Sequence, residues 1–282
     1  MSNVRNIQTT VQGYTTVDGA GVKLVRVLGG ETIKDFNPIL MLDSFDSINP
    51  DEYTAGFPMH PHRGIETISY VYKGGMVHRD SLGNEAAVHS GEVQWMTAGS
   101  GIMHEELVPA AERLLGVQLW LNLPKEDKMA NPAYHPVTND MIEDIEIDGG
   151  YLRLLAGTYY DHVGHKSSYL PLNYYDVHLE NGRTFTHTVK ADASIMLFTL
   201  IGDIEINGTA VKEKTAVKLT AGDTVIFTAK SDDTQVLYIE SIAIDEPVAW
   251  AGPIVMNTQD ELREAFRELQ NGTFVKAKMD VE

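Results

Sequence analysis

Two short stretches carry residue types from which a metal centre could be built. In MHPHRG, residues 59–64, His60 and His62 flank Pro61. In an extended strand alternate side chains share a face, so the two imidazoles project the same way. Pro61 cannot donate to a ladder, which suits a strand edge or end beside a site. In MTAGSGIMHEELVP, His104 and Glu106 repeat the i, i+2 relation after a glycine-rich turn. If the two pairs lie on neighbouring strands, they can converge on one ion with three imidazole nitrogens and one carboxylate oxygen. Such a donor set suits Fe(II), Mn(II), Ni(II) or Cu(II) and leaves two positions of an octahedron open to a substrate or to oxygen. Glu66, four residues past His62, competes for the carboxylate position, and spacing alone does not choose between it and Glu106. Glu105 falls on the opposite strand face.

The remaining candidates have plainer readings. His78, in MVHRDS, reads as a satisfied strand-end histidine that could also line the pocket. His89, His135, His162, His165 and His178 lack partner spacing and read as surface or loop residues. Trp95 and Met96 sit in a strand and read as core. Gly99 and Gly101 serve the turn that presents His104, because the AGSG stretch lacks the lysine and following helix of a phosphate loop.

Composition bounds this chemistry. The chain has 282 residues and no cysteine, which excludes disulfides, thiolate metal sites and a thiol nucleophile, and leaves His, Asp and Glu as ligands. Its formal net charge of -18 opposes nucleic acid and acidic membrane faces. With 43% hydrophobic and 22% charged residues it belongs with folded globular proteins. The start, MSNVRNIQTTVQGY, shows no basic stretch followed by an apolar one, and no apolar run approaches the roughly 18 residues a membrane helix needs. A soluble, cytoplasmic protein is expected.

The elements that must position these residues are strands. TISYVY (67–72), VQWM (93–96) and VQLWL (117–121) alternate and end in turn residues, the pattern of antiparallel sandwiches or barrels. A second series follows an acidic stretch and includes YLRLL (151–155), YDVHL (175–179), IMLFTLI (195–201), TVIFT (224–228) and QVLYIE (235–240). The two halves share a glycine turn, a strand, a loop and then G-[ED]-x-V into another strand, a weak internal duplication. Tandem β-barrels are expected, with domains at 1–137 and 138–282. The second half keeps one comparable histidine, His187, between Thr186 and Thr188, with no returning histidine near DTVIF, so a metal-free structural barrel is expected there. One helix stands out in TQDELREAFRELQNG: Thr258 and Glu261 form a capping box, Leu262, Ala265, Phe266 and Leu269 make one apolar stripe, and Asn271-Gly272 supplies the stop.

Gly56, His60, His62, Glu66, Gly74 and His104 also follow the order of the cupin pattern, in which the residue at Glu66 would supply the carboxylate. Over nearly the whole chain, HPHRGIETISYVYKGG, HRDSLGN, QWMTAGSGIMHEE, VQLWLNLP and GPIVMNT resemble the pirin family. That resemblance implies an all-β bicupin, two tandem antiparallel double-stranded β-helix barrels with a C-terminal helix. It implies one iron-type metal in the N-terminal barrel, held by His60, His62, His104 and Glu106, with Fe(II) expected and Mn, Ni, Cu or Zn as substitutes. Glu66 then becomes a nearby gating carboxylate. The implied activity is of the quercetin 2,3-dioxygenase type, on a flavonol or similar aromatic chelator bound through its 3-oxygen. Glu106 is the expected base and Glu66 the reserve. The alternative is a non-catalytic, redox-sensing metalloprotein that regulates a transcriptional or metabolic protein partner, a basic one given the acidic surface.

Overall fold

The computed structural model describes residues 3–277, and strands dominate them. The chain forms two compact units that exchange segments. One holds Thr15–Arg26, Ile39–Thr138 and the described chain from Ile244 onward; the other holds the described chain up to Tyr14, Val27–Pro38 and Asn139–Ala243. The expected continuous domains, 1–137 and 138–282, are therefore corrected at both ends; residues 1–2 and 278–282 of those ranges lie outside the described residues. Backbone pairing is the physical cause. Strand Ile7–Gln12 pairs antiparallel with Thr215–Leu219. Just before it, the buried Arg5 guanidinium donates to the carbonyls of Gly222, Ala193, Thr220 and Lys190 at 2.7–2.9 Å. At the other end, Val255 N donates to Arg63 O at 3.1 Å, so the last strand belongs with the first unit.

Each unit repeats one plan, a seven-stranded sheet with a four-stranded one. In the unit that carries the histidines, the large sheet runs Ala133–Val137, Glu92–Thr97, Ile65–Lys73, Leu114–Asn122, Ile39–Ser47, Val22–Leu28 and Tyr14–Asp18. The small one runs Phe57–His62, Ile102–Leu107, Gly75–Asp80 and Glu85–His89. The other unit sets Ile7–Gln12, Thr215–Leu219, Ser194–Ile201, Thr234–Ser241, Asn173–Leu179, Gly150–Ala156 and Glu143–Ile147 beside a small sheet containing Thr184–Thr188 and Thr224–Ala229. Its interior is an apolar cluster that includes Leu154, Val177, Phe185, Leu197 and Phe227.

Polarity along the inner face of the first unit changes with depth. One end is plugged by Val22, Phe45, Val71, Val88 and Leu114, each 3% exposed or less. Two residues further along the same faces come Asp43 and Ser69, and four beyond Leu114 comes Gln118, all buried. Ser69 lies opposite both Gln94 and Gln118, so these three share one face. Buried polar side chains in otherwise apolar strands are costly unless bonded, and here Gln118 Nε2 donates to Ser69 Oγ at 3.0 Å.

The terminal helix, Gln259–Gln270, begins with the expected capping box between Thr258 and Glu261. Leu262 and Ala265 are buried, but Phe266 is 36% exposed, so the apolar stripe is narrower than its spacing suggested. Among the described residues no helix is long and apolar enough to cross a membrane.

Candidate metal centre

Strands Phe57–His62 and Ile102–Leu107 pair antiparallel, with His104 directly opposite His60 and Ile102 opposite His62. That register brings the three imidazoles together: their ring nitrogens lie within 4.8 Å of one another, a group that could hold a metal ion. His62 and His104 are 2% and 0% exposed, and His60 is half-buried. His60 Nδ1 donates to Pro58 O at 2.8 Å, and His62 Nδ1 donates to Pro253 O at 3.1 Å. These carbonyls fix the proton on Nδ1, so both Nε2 lone pairs point inward, 3.0 Å apart. Two unshared pairs at that distance repel unless something positive lies between them. Donors about 2.1 Å from one ion and at right angles to each other stand about 3.0 Å apart, so the pair fits a shared metal. His104 Nε2 is buried with no hydrogen-bond partner, the state of a ligand nitrogen.

Electrostatics agrees. Burial, followed by the neighbouring His60, pushes the His62 imidazole down to about 3 against the weaker pull of the Pro253 carbonyl. Burial, then His62, His60 and His78, hold His104 well below the usual histidine range. Both rings are neutral at pH 7, as metal ligation requires.

Behind His104 stands a chain that the spacing did not reveal. His104 Nδ1 lies 3.4 Å from His78 Nδ1, and His78 Nε2 lies 2.9 Å from Asp80 Oδ2. His78 is fully buried and stacks on Tyr134 at 4.0 Å and 12°. Leu82 N and Asn84 N donate to Asp80 Oδ1, and Asn84 Nδ2 donates to Oδ2. Burial raises the Asp80 carboxyl, but the bonds from His78, Asn84 and Leu82 outweigh it and hold it below its ordinary value. With Asp80 accepting from His78 Nε2, His78 Nδ1 accepts from His104 Nδ1, and this leaves the His104 Nε2 lone pair facing the site.

Glu106 is 1% exposed and lines the same pocket. It lies outside the group formed by the three imidazoles. Its Oε1 accepts from Gln94 Nε2 at 2.6 Å and from Gln118 Nε2 at 3.1 Å. Glu66 is placed differently from the sequence reading. It pairs across to Leu121 and Thr97, one step out of phase with pocket-lining Trp120, so it occupies the opposite face of the sheet. There its Oε1 accepts from Thr97 Oγ1 at 2.7 Å and Trp95 Nε1 at 3.1 Å, and burial raises its carboxyl against those bonds. A gating or catalytic carboxylate at 66 is thereby corrected. Glu105 turns away to Arg79, as strand parity required.

The pocket encloses about 600 Å³. Trp120 and Trp250, ring centroids 5.7 Å apart, form its aromatic wall beside Phe45 and Phe57. Another wall carries Arg26, which grips Asp43 through two bonds of 3.0 and 2.7 Å and reaches Asp18 at 2.7 Å. Gln94, Gln118, His78 and Asp80 could have been flagged as polar residues at alternate positions of apolar strands. Trp250 and Pro253 gave no local signal, because only the return of the chain after Ile244 brings them to the site.

In the second unit, His187 is buried among Tyr159, Tyr175, Phe185 and Tyr238, and burial lowers its pKa. Among the described residues, His60, His62 and His104 are the group of three or more potential ligands that forms. His178, expected at the surface, is instead buried and bonded to Asp176 at 2.9 Å.

Comparison with known proteins agrees with this geometry. The Pirin family model matches residues 21–121, and that of the Pirin C-terminal cupin domain matches residues 174–275. A pirin-like protein of Caulobacter vibrioides is 38% identical over 275 residues, covering 96% of this chain and 99% of its own. Human pirin is 32% identical over 290 residues, covering 99% and 97%. Among solved structures, a quercetin 2,3-dioxygenase from Acinetobacter baumannii superposes with a TM-score of 0.89 at 32% identity, covering 96% and 98%. With both of its barrels matched and its relatives aligned end to end, the chain belongs to the pirin family, a family of bicupins.

Proposed function

We propose that this protein binds one divalent transition metal, Fe(II) by preference, through His60, His62, His104 and Glu106, and acts as a quercetin 2,3-dioxygenase-type oxygenase on a flavonol or similar flat chelator. The observation that carries this reading is the convergence of three imidazoles beside an aromatic-walled cavity of about 600 Å³. When bound, the metal supplies Lewis acidity toward a chelating hydroxyl and the redox chemistry that dioxygen requires. The chain supplies the rest. Trp120 and Trp250 clamp a flat ring and exclude water from it. Gln94 and Gln118 hold Glu106 where its Oε2 can accept the proton of the 3-hydroxyl, and a turn of the same side chain supplies the fourth ligand. The Asp80–His78 pair keeps the His104 lone pair directed inward. Relatives of similar identity that carry the quercetin dioxygenase name support the substrate class.

Metal-loaded protein should consume quercetin together with oxygen, and His62→Ala and Glu106→Gln should abolish this. Equal rates in metal-free protein would sink the proposal. A second reading is favoured by the net charge of -18: a redox-sensing metalloprotein whose acidic surface is read by a basic protein partner. It requires a partner that prefers one oxidation state of the iron-loaded protein, and equal binding of the ferrous and ferric forms would exclude it.

A further inference from the structure

The carbonyl that orients His62 belongs to Pro253, 191 residues later in the chain. What holds that carbonyl in place is a buried clamp outside the pocket lining. Arg63 forms a parallel bridge with Ile254, and Val255 N donates to Arg63 O at 3.1 Å. The approach is so close that only glycine fits at position 64: its φ is +77°, and a Cβ there would lie 1.9 Å from Val255 O. Lys128, 2% exposed, closes the joint. Its ammonium donates to Asn122 Oδ1 at 2.5 Å, Gly64 O at 2.7 Å and Val255 O at 3.1 Å, so its three protons have three acceptors on three separate segments.

A buried ammonium is a costly way to gain stability, since an apolar side chain of the same volume commonly serves as well. Its value lies in geometry. We propose that Lys128 is a positioning residue of the metal centre: by holding Val255 against the Gly64 turn, it keeps the Pro253 carbonyl on His62 Nδ1 and so directs the His62 Nε2 lone pair into the site. The neighbouring anchor follows the same logic. The buried Arg63 guanidinium binds Glu268 at 2.7 Å and Phe274 O at 2.8 Å, tying the terminal helix region to the residue next to His62. The return of the chain after Ile244 is thus part of the ligand scaffold. This inference rests on the metal reading of the site, but its first readout does not.

The test uses full-length, metal-free protein. Nitrogen-15 NMR of the wild type should find the His62 proton on Nδ1; a proton on Nε2 would overturn the inference whatever the variants do. Lys128→Met and Gly64→Ala open the joint from opposite sides. Competition titration with Zn(II) should show affinity at least tenfold weaker in each, within the roughly 10–100-fold range of ligand-orienting partners. A variant that is folded by circular dichroism but binds Zn(II) within twofold of wild type would show that Lys128 serves stability alone and overturn the proposal. If a variant does not fold, the other variant and the wild-type tautomer decide. If the wild type itself takes up no Zn(II), the metal reading fails, and the tautomer still judges the clamp.

Discussion

Replacing Asp80 with asparagine should reverse the proton order behind His104 without removing a single heavy-atom contact. Leu82 N and Asn84 N both donate to Asp80 Oδ1, at 2.8 and 3.1 Å. In the variant those donors hold the amide oxygen in the Oδ1 position. The amide nitrogen then takes the Oδ2 position and donates to His78 Nε2, where the carboxylate had accepted, while the Asn84 side-chain amide turns over to present its oxygen in place of the Nδ2 that donated there. His78 must move its proton to Nδ1 and point it at His104 Nδ1, 3.4 Å away. His104 in turn carries its proton on Nε2, on the side where the metal would bind. Loss of such an orienting partner costs roughly 10–100-fold in metal affinity, which is about 1.4–2.7 kcal/mol. The assay is competition titration of the metal-free protein with Zn(II), paired with nitrogen-15 NMR of the imidazoles. Unchanged tautomers and an affinity within twofold of wild type would refute the relay.

Other consequences follow from burial and strand parity. An unfolded histidine takes up a proton below about pH 6.5, but His62 in the folded protein resists protonation down to about 3. Metal-free protein should therefore be fully stabilised by this residue above pH 6.5 and lose about 1.4 kcal/mol per pH unit as pH falls through that window. His104, also depressed, adds in the same direction, and a Tm that stays flat from pH 7 to 4 would contradict both. Trp120→Ala removes half of the aromatic wall and should raise the flavonol KM roughly 5–30-fold, about 1–2 kcal/mol, with a smaller change in kcat. Glu66→Gln should keep turnover within about twofold and stability within about 1 kcal/mol, since the side chain faces Trp95 and Thr97 on the far side of the sheet. A tenfold loss of turnover would return Glu66 to the site.

What could be read in advance was what depends on short stretches of chain. His60 and His62, like His104 and Glu106, sit two residues apart within single strands, so period-2 geometry alone placed each pair on one face. The capping box of the terminal helix is equally local. Glu66 was misplaced because the even spacing from His62 holds only while the strand continues. The chain breaks at Arg63-Gly64, with Gly64 at φ +77°, and the next strand restarts its phase at Ile65. Segment exchange was hidden for another reason: nothing within MSNVRNIQTTVQGY marks Thr215–Leu219 as its ladder partner, and nothing in GPIVMNT marks Arg63. Phe266 fell on the helix stripe, but which stripe residues are covered depends on the neighbouring segment rather than on the helix.

The central claim, one metal held at the three converging imidazoles, is tested most directly by elemental analysis of protein purified without added metal, wild type against His62→Ala and His104→Ala. The expected result is close to one transition-metal ion per wild-type chain and almost none in either folded variant. A full complement of metal in both variants would place the ion elsewhere and contradict the site described above.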